Sequence, residues 1–407
     1  MKTYKQEGFD VVVKNSPKTP RGTICCYFSV ENKPKYAGTL SLIARLLVRG
    51  TKKRSAEELT LELQNNGIEL YTESRQDYLK TEITFLNQDF DLAKEIMHDI
   101  IENSTFKELK KETFKMKSEI TASLDSSVTK VSEKYTKTLY AGHHYGTTIT
   151  QTIEEADKIT LDILKDFYNI LLKSKKSIVA VGDFEVEDLI LNLLKNEFSF
   201  LQQCEIKGDI KDFKGLEEDK IVKITKNSAN QAHILQGWLV DKIDTEDYPK
   251  LIVMNNLLGS SGLSSRLFYE LRDKQGLAYT VRSSYEALRH AGNISFYIGT
   301  SPKNIKKSLD GFKIEIEKLQ NNLPTDEELQ GAKENVLGRL AYFSQTNAQI
   351  ANILARDLIL GRNLDYRKEY VNMINSVTKK DLSDMAKKYL SGKSLIAVIA
   401  PDKYLDF

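Results

Sequence analysis

Arg272 and Tyr279 stand seven positions apart in the run GSSGLSSRLFYELRDKQGLAY, residues 259–279. A guanidinium and a phenol brought together beside a turn can both donate to one carbonyl or oxyanion. The alternative is a surface arginine and a half-buried strand tyrosine. Five histidines, His98, His143, His144, His233 and His290, offer imidazole nitrogens, but no two are spaced four apart as neighbouring helical ligands would be. His143 and His144 are adjacent in a predicted loop, and all five read as structural or surface residues. Three cysteines complete the reactive set. Cys25 and Cys26 are neighbours in an apparent strand and so point to opposite faces, while Cys204 is alone. This is neither a metal spacing nor a disulfide framework, and it suits reduced thiols in a reducing, cytoplasmic compartment.

The elements that must hold Arg272 and Tyr279 can be read from the same run. Gly259, Ser260, Ser261 and Gly262 form a small-residue loop. Ser264 or Ser265 can cap a following helix, on which Leu267, Phe268 and Leu271 share a face. Gly276 ends that helix, and AYTVRSSY continues as an alternating strand. Around this run the composition is that of a globular protein, with 41% hydrophobic and 29% charged residues in 407. A net charge of +2 gives no electrostatic case for nucleic acid or a membrane surface as principal partner. No apolar run reaches the roughly 18 residues of a spanning helix. The start, MKTYKQEGFDVVV, shows neither an apolar signal core nor an Arg-rich presequence, which adds to the cytoplasmic expectation.

The length predicts two domains, and the element order repeats. Two strands (FDVVV, TICCYFSV) precede a helix in YAGTLSLIARLLVRGT and a capped helix begun by Ser55 and Glu58. Paired strands, an amphipathic helix, a long polar helical stretch over residues 105–140, another helix, the buried strand KSIVAVGD and a last helix follow. After the polar stretch at residues 205–220 the order begins again, ending on the strand KSLIAVIAPD. SIVAV is echoed by SLIAV, ITLDILKDFYNILL by VTKKDLSDMAKKYL, and LSLIARLLVRG by KLIVMNNLLGS, all at offsets a little over 200 residues. The expected fold is therefore α+β, with two duplicated domains at residues 1–205 and 221–407 joined by a linker at 206–220. Each is expected to be a mostly antiparallel sheet with helices packed on one face.

With these segments in view, the chain resembles the pitrilysin/insulinase family of zinc peptidases, the inverzincins. GTLSLIARLLVRGTKKRSAEEL, GIELYTESRQDY, KMKSEI, AGHHYGTTITQT, NQAHILQGW and SSRLFYELRDKQGLAY carry the resemblance, which covers essentially the whole chain. The family's chemistry needs H-x-x-E-H on a helix, two histidines for zinc and a glutamate base for its water, with a further glutamate ligand from a later helix. Placed by Gly38 and Gly50, the motif positions here are Ser41, Ala44 and Arg45. The later ligand position is Ser118, or Glu119 with a one-residue slip. An arginine cation where a ligand should be opposes binding of a dication, so this chain is expected to hold no metal.

The resemblance gives Arg272 and Tyr279 a role as well. In the family an arginine and tyrosine of the second domain reach the active site, the tyrosine donating to the developing oxyanion and the arginine holding a substrate carbonyl. Some members are two-chain enzymes, in which one chain carries the zinc motif and the other has lost it but keeps this pair, the two enclosing a chamber for peptides. The chain is thus expected to be the non-zinc subunit of a heterodimeric metallopeptidase, inactive alone, with zinc in an HxxEH-bearing partner. In the family the peptide lies as an added strand on a sheet edge, here near residues 69–72. A second reading is a non-catalytic structural or interaction subunit of the same fold. A third is an independent peptidase with a metal site outside the family pattern.

Overall fold

The computed structural model describes residues 1–17, 19–205, 208–213 and 215–407. Residues 206, 207 and 214 of the expected linker lie outside the described residues. The chain opens with β1 (Lys2–Gln6), β2 (Phe9–Asn15) and β3 (Arg21–Ser29), then α1 (Thr39–Leu46) and α2 (Ala56–Asn65). The hairpin β4 (Glu69–Ser74) and β5 (Tyr78–Leu86) leads to α3 (Phe90–Asn103), α4 (Leu109–Ser123), α5 (Ser127–Leu139), α6 (Ile149–Ala156) and α7 (Leu161–Lys173). Then come β6 (Lys176–Gly182), α8 (Glu187–Glu197), β7 (Lys220–Thr225), β8 (Ala232–Val240), α9 (Tyr248–Asn255), and the hairpin β9 (Ala278–Ala287) and β10 (Gly292–Thr300). The last elements are α10 (Ile305–Asn321), α11 (Asp326–Tyr342), α12 (Asn347–Ile359), α13 (Tyr366–Ser376), α14 (Lys379–Tyr389) and β11 (Ser394–Ala400).

These elements form two compact units that are not contiguous in sequence. The first comprises Met1–Ile120, Ile149–Ile210 and Ala341–Tyr366, the second Thr121–Thr148, Lys211–Leu340 and Arg367–Phe407. The division differs from halves at 1–205 and 221–407 by two segments, one bearing α5 and one bearing α12. The polar stretch marks a change of composition, whereas the sheet that a distant helix covers is a tertiary choice with no local signal. The stretch read as one polar helix over residues 105–140 is two helices, α4 and α5, and Ser126 begins the second by accepting from Thr129 N.

The two sheets share a topology. The first unit orders its six strands β1-β2-β6-β3-β5-β4, and the second its five β7-β11-β8-β10-β9. In the first, β6 runs parallel to β2 and antiparallel to β3; in the second, β11 runs parallel to β7 and antiparallel to β8. The remaining pairs are antiparallel. The mostly antiparallel expectation therefore holds, and the echo of SIVAV in SLIAV is the same strand in each repeat. By this correspondence β4 and β9 are equivalent edge strands.

Each sheet carries its main helical layer on one face, and one further helix covers the other. β6 is buried at all seven positions, so it needs apolar cover on both sides. In the first unit Cys26, Ile178 and Ala180 face the large core, while Cys25, Val179 and Val181 meet Ala351, Leu354, Ala355 and Leu358 of α12. The adjacent cysteines thus point to opposite faces as expected, and burial pushes both thiols up from their ordinary value. In the second unit α5 plays the part of α12, with Val131, Tyr135 and Leu139 over Leu235, Leu395 and Ala397. α12 has its own capping box, Thr346 with Gln349, which the sequence reading passed over together with β1, α6 and α13.

Gly237 on β8 shows how closely α5 is laid down. A Cβ there would lie 1.8 Å from the Tyr135 hydroxyl and 3.0 Å from the Ile294 carbonyl oxygen. Replacing Gly237 with Ala therefore forces the ring or the helix to move and should destabilise the second unit by about 1–3 kcal/mol, as overpacked cores do. A urea unfolding midpoint equal to that of the natural chain would show that α5 is not seated as tightly as this contact requires.

Candidate functional site

α1 begins at Gly38, whose φ of 89° is left-handed. Leu42, Ile43, Ala44 and Leu46 anchor the helix in the first core, leaving Ser41 and Arg45 one turn apart on a less buried face. The Ala44 carbonyl accepts from the Thr72 hydroxyl at 2.6 Å, which ties α1 to the edge strand β4. The degenerate motif and the edge named from the sequence, residues 69–72, are therefore neighbours in one unit.

At the motif, α1 meets α4 through ion pairs. Arg45 donates through Nη1 to Glu119 Oε1 at 3.3 Å, and its Nη2 pairs with Oε2 of the same carboxylate. One turn along, Arg49 Nε lies 3.0 Å from Oε1 of Glu112, a residue only 1% exposed that Lys115 also reaches at 3.1 Å. Ser118, the expected fourth position, does not face Arg45; its hydroxyl donates back to the Phe114 carbonyl at 3.0 Å. The helix turns Glu119 to the motif instead, so the one-residue slip is the register that the structure adopts. The hydrogen bond from Arg45 holds the Glu119 carboxyl below the usual glutamate range. A carboxylate lowered in this way contributes stability above its unfolded pKa and loses it as pH falls through its folded value, so acid weakens the α1–α4 clasp.

This donor set does not fit zinc. It offers a serine, an alanine, an arginine and one carboxylate that is already neutralised, where the metal needs several N, O or S ligands. Among the described residues no group of three or more His, Cys, Asp and Glu is arranged to hold a metal ion. His98 lies between Glu102 and Glu197, His233 meets the Tyr297 hydroxyl, and His290 meets Asp212.

The run that carries Arg272 and Tyr279 is built on widened helical turns. α9 passes into a π-helical turn, Asn256–Ser260; a 3-10 turn follows at Gly262–Ser264, then a second π-helical segment, Phe268–Lys274. Seven residues cannot distinguish this winding from an α-helix by periodicity, and π segments often mark functional positions. Ser265 opens the helix with its carbonyl, which accepts from Tyr269 N, while its hydroxyl donates to the Gly262 carbonyl at 2.7 Å. Leu267, Phe268 and Leu271 are buried together as their spacing predicts. Gly259 lies against β9 so closely that a Cβ would meet Ser283 N at 2.3 Å.

Arg272 and Tyr279 line one depression of about 540 Å³ along the edge strand β9, within the second unit. The Arg272 guanidinium lies 4.4 Å from the Phe268 ring centroid, a cation–π contact, and among the described residues it pairs with no carboxylate. Tyr279 is 82% exposed rather than half-buried, so its hydroxyl is presented outward. Arg282 and Arg339 also line the depression, and sequence reasoning passed over both. Arg282 follows Tyr279 by three residues on β9, inside the strand AYTVRSSY, whereas Arg339 comes from α11, with no local spacing to Arg272.

Two family descriptions match consecutive stretches of the chain: "Insulinase (Peptidase family M16)" over residues 10–153 and "Peptidase M16 inactive domain" over residues 158–336. The chain belongs to the insulinase family, peptidase M16. It is similar to an "Uncharacterized zinc protease YmxG" of Bacillus subtilis, 25% identical with 97% of each chain covered. It is also similar to a "Non-peptidase homolog YmxG" of Helicobacter pylori, 26% identical over 91% of this chain and 85% of that one. A solved "peptidase M16 inactive domain" from Pseudomonas fluorescens shares the fold at a TM-score of 0.89 and 20% identity, covering 98% of both chains. A protease structure from Helicobacter pylori does so at 0.87 and 21%, covering 98% of this chain and 99% of that one. Within M16 the chain has the two-domain fold without the H-x-x-E-H residues, which fits a non-catalytic member of the family.

The Arg45–Glu119 register makes a direct prediction. Restoring the motif with Ser41→His, Ala44→Glu and Arg45→His should give a chain that binds about one zinc, the ligand count being met by two histidines and Glu119. Adding Glu119→Gln should abolish that binding, while Ser118→Ala should not. Elemental analysis after dialysis reads all three; metal retention that depends on Ser118 and not Glu119 would overturn the register.

Proposed function

We propose that this chain is the non-zinc subunit of a two-chain M16 metallopeptidase, supplying Arg272 and Tyr279 to an active site whose zinc is held by an HxxEH-bearing partner. The observation that carries the reading is an asymmetry between the two units. At the motif of the first, a guanidinium stands where a ligand should be and is closed by Glu119. In the second, Arg272 and Tyr279 share an open depression, with the tyrosine hydroxyl exposed. A phenol and a guanidinium so placed are suited to a developing oxyanion and a substrate carbonyl. The name of the Helicobacter pylori relative, a non-peptidase homolog, supports a chain that cleaves nothing by itself. The three free thiols suit the cytoplasm as its compartment. That relative's name also suits the second reading, a structural subunit in which the pair takes no part in cleavage.

The test is reconstitution. The chain alone is expected to cleave no peptide, and mixing it with an HxxEH-bearing M16 partner is expected to restore turnover. Tyr279→Phe and Arg272→Ala should each lower kcat/KM of the mixture by about 100-fold, the usual cost of losing one oxyanion donor. Size-exclusion chromatography should show the complex intact. Full activity in the double variant would remove the catalytic role and leave the structural one.

A further inference from the structure

The depression along β9 is an uncompensated cationic pocket. Arg272, Arg282 and Arg339 line it, and none of its lining residues is Asp or Glu. Arg282 lies over the Tyr297 ring at 4.9 Å, and Arg339 donates to the Ser260 carbonyl at 2.9 Å; neither is paired with a carboxylate among the described residues. Arg282 shares a sheet face with Tyr297, opposite the face that carries Phe268 and Arg272, so the cations of the depression are Arg272 and Arg339, and their uncompensated charge favours entry of an anion. Guanidinium forks match a carboxylate's two oxygens in plane.

A second observation narrows the occupant. Asn255, only 7% exposed, lines the same depression, and its side-chain oxygen is buried with no hydrogen-bond partner. The Tyr285 hydroxyl, also in the lining, is likewise buried and unsatisfied. A buried acceptor without a donor costs about 1–3 kcal/mol, so such groups mark places where a donor is missing. A bare inorganic anion brings no donor to Asn255, whereas a peptide brings backbone N–H groups. Tyr279 to Tyr285 of β9 run along the wall, and β9 is the outermost strand of its sheet. An edge strand is a template for an added extended segment.

We infer that the β9 depression binds a peptide segment carrying a carboxylate, with Arg272 and Arg339 taking the carboxylate and Asn255 and the strand edge taking the peptide backbone. The inference deepens the proposed function at the Arg272–Tyr279 site and rests on it for the statement that the bound peptide is a substrate. Binding itself belongs to this chain alone. The carboxylate is supplied by an acidic side chain or by the peptide's own C-terminus; the chemistry at the arginines is the same.

The experiment is fluorescence anisotropy with the purified full chain and labelled peptides of about ten residues, long enough to lie along one strand. One peptide carries a central glutamate and an amidated C-terminus, one carries no acidic side chain and a free C-terminus, and one is the glutamine, amidated control. At least one of the first two should bind about tenfold or more tighter than the control, and which one does so identifies the source of the carboxylate. Arg272→Gln and Arg339→Gln should each remove most of that preference. The Arg272 side chain makes no hydrogen bond among the described residues, so its variant keeps the test valid if loss of the Arg339–Ser260 contact disturbs the loop. Equal affinity for all three peptides, no binding of any, or an undiminished preference in both variants would overturn the inference. A carboxylate preference without stimulation of any HxxEH partner would overturn the subunit reading and leave the pocket standing. Stimulation with no carboxylate preference would do the reverse.

Discussion

Where α1 passes α4, the guanidinium of Arg45 closes on the carboxylate of Glu119 while Arg49 and Lys115 surround Glu112. These ion pairs join α1 to α4 at the position of the degenerate motif. A buried carboxylate such as Glu112 is tolerated only when cations and hydrogen bonds offset its desolvation. In a zinc-binding relative of this fold, a dication would cross-link the same two helices. Here a protein cation does so, and the joint needs no metal to form. The framework around it is kept: α1 still bonds to β4 through Thr72, and β4 still ends its sheet. The first unit thus keeps α1 bound to the β4 edge while lacking the H-x-x-E-H residues.

The repeat makes the location of that geometry general. β4 and β9 occupy the same edge of the same topology, and the helix laid against each, α1 or α9, precedes it in the chain. In the first repeat the helix beside the edge, α1, carries the Arg45–Glu119 ion pair. In the second, α9 loosens into π-helical turns, and Gly259 allows the backbone to touch Ser283 of the edge strand itself. A Cβ at Gly259 would collide with that strand, so the close approach depends on glycine. The result is an edge with a lined depression beside it.

The succession of most strands along the chain was legible because strands carry local signals and the duplication reported them twice. SIVAV and SLIAV, each after a helix, proved to be the strands that run parallel to one neighbour and antiparallel to the other. The capping box at Ser55 was equally local, and it is present. The coverage of the second sheet faces was not legible. Amphipathic spacing says that α12 must bury a face, but nothing near Leu354 or Leu358 names Val12, Cys25 and Val179 as what that face meets. The site divides in the same way. Arg272 and Tyr279 were found because one short run contains both. Arg339 was missed because only the fold brings α11 to that run, while Arg282, three residues past Tyr279, was within the strand already read and was passed over. Ser118 against Glu119 was a question of helical phase, decided by which residue α4 turns toward Arg45.

The uncompensated charge beside β9 is not a general property of the chain. Basic and acidic residues are nearly balanced, 59 against 57, so carboxylates are not scarce. In the first unit Arg45 meets Glu119, Arg49 meets Glu112, and Arg54 meets Glu62, Glu95 and Asp99. In the second unit Arg266, on the same run as Arg272, is held by both oxygens of Glu328 at 2.7 and 2.9 Å. Its neighbour Lys274 pairs with Glu270. Against that background, Arg272 and Arg339, from two elements, line one depression with no carboxylate in its lining, beside a buried amide oxygen that lacks a donor. Folding alone gives no reason to gather cations there, since their mutual repulsion opposes the compact state. A ligand that brings both a carboxylate and a peptide N–H satisfies both groups at once, and an extended segment on the β9 edge can deliver the two together.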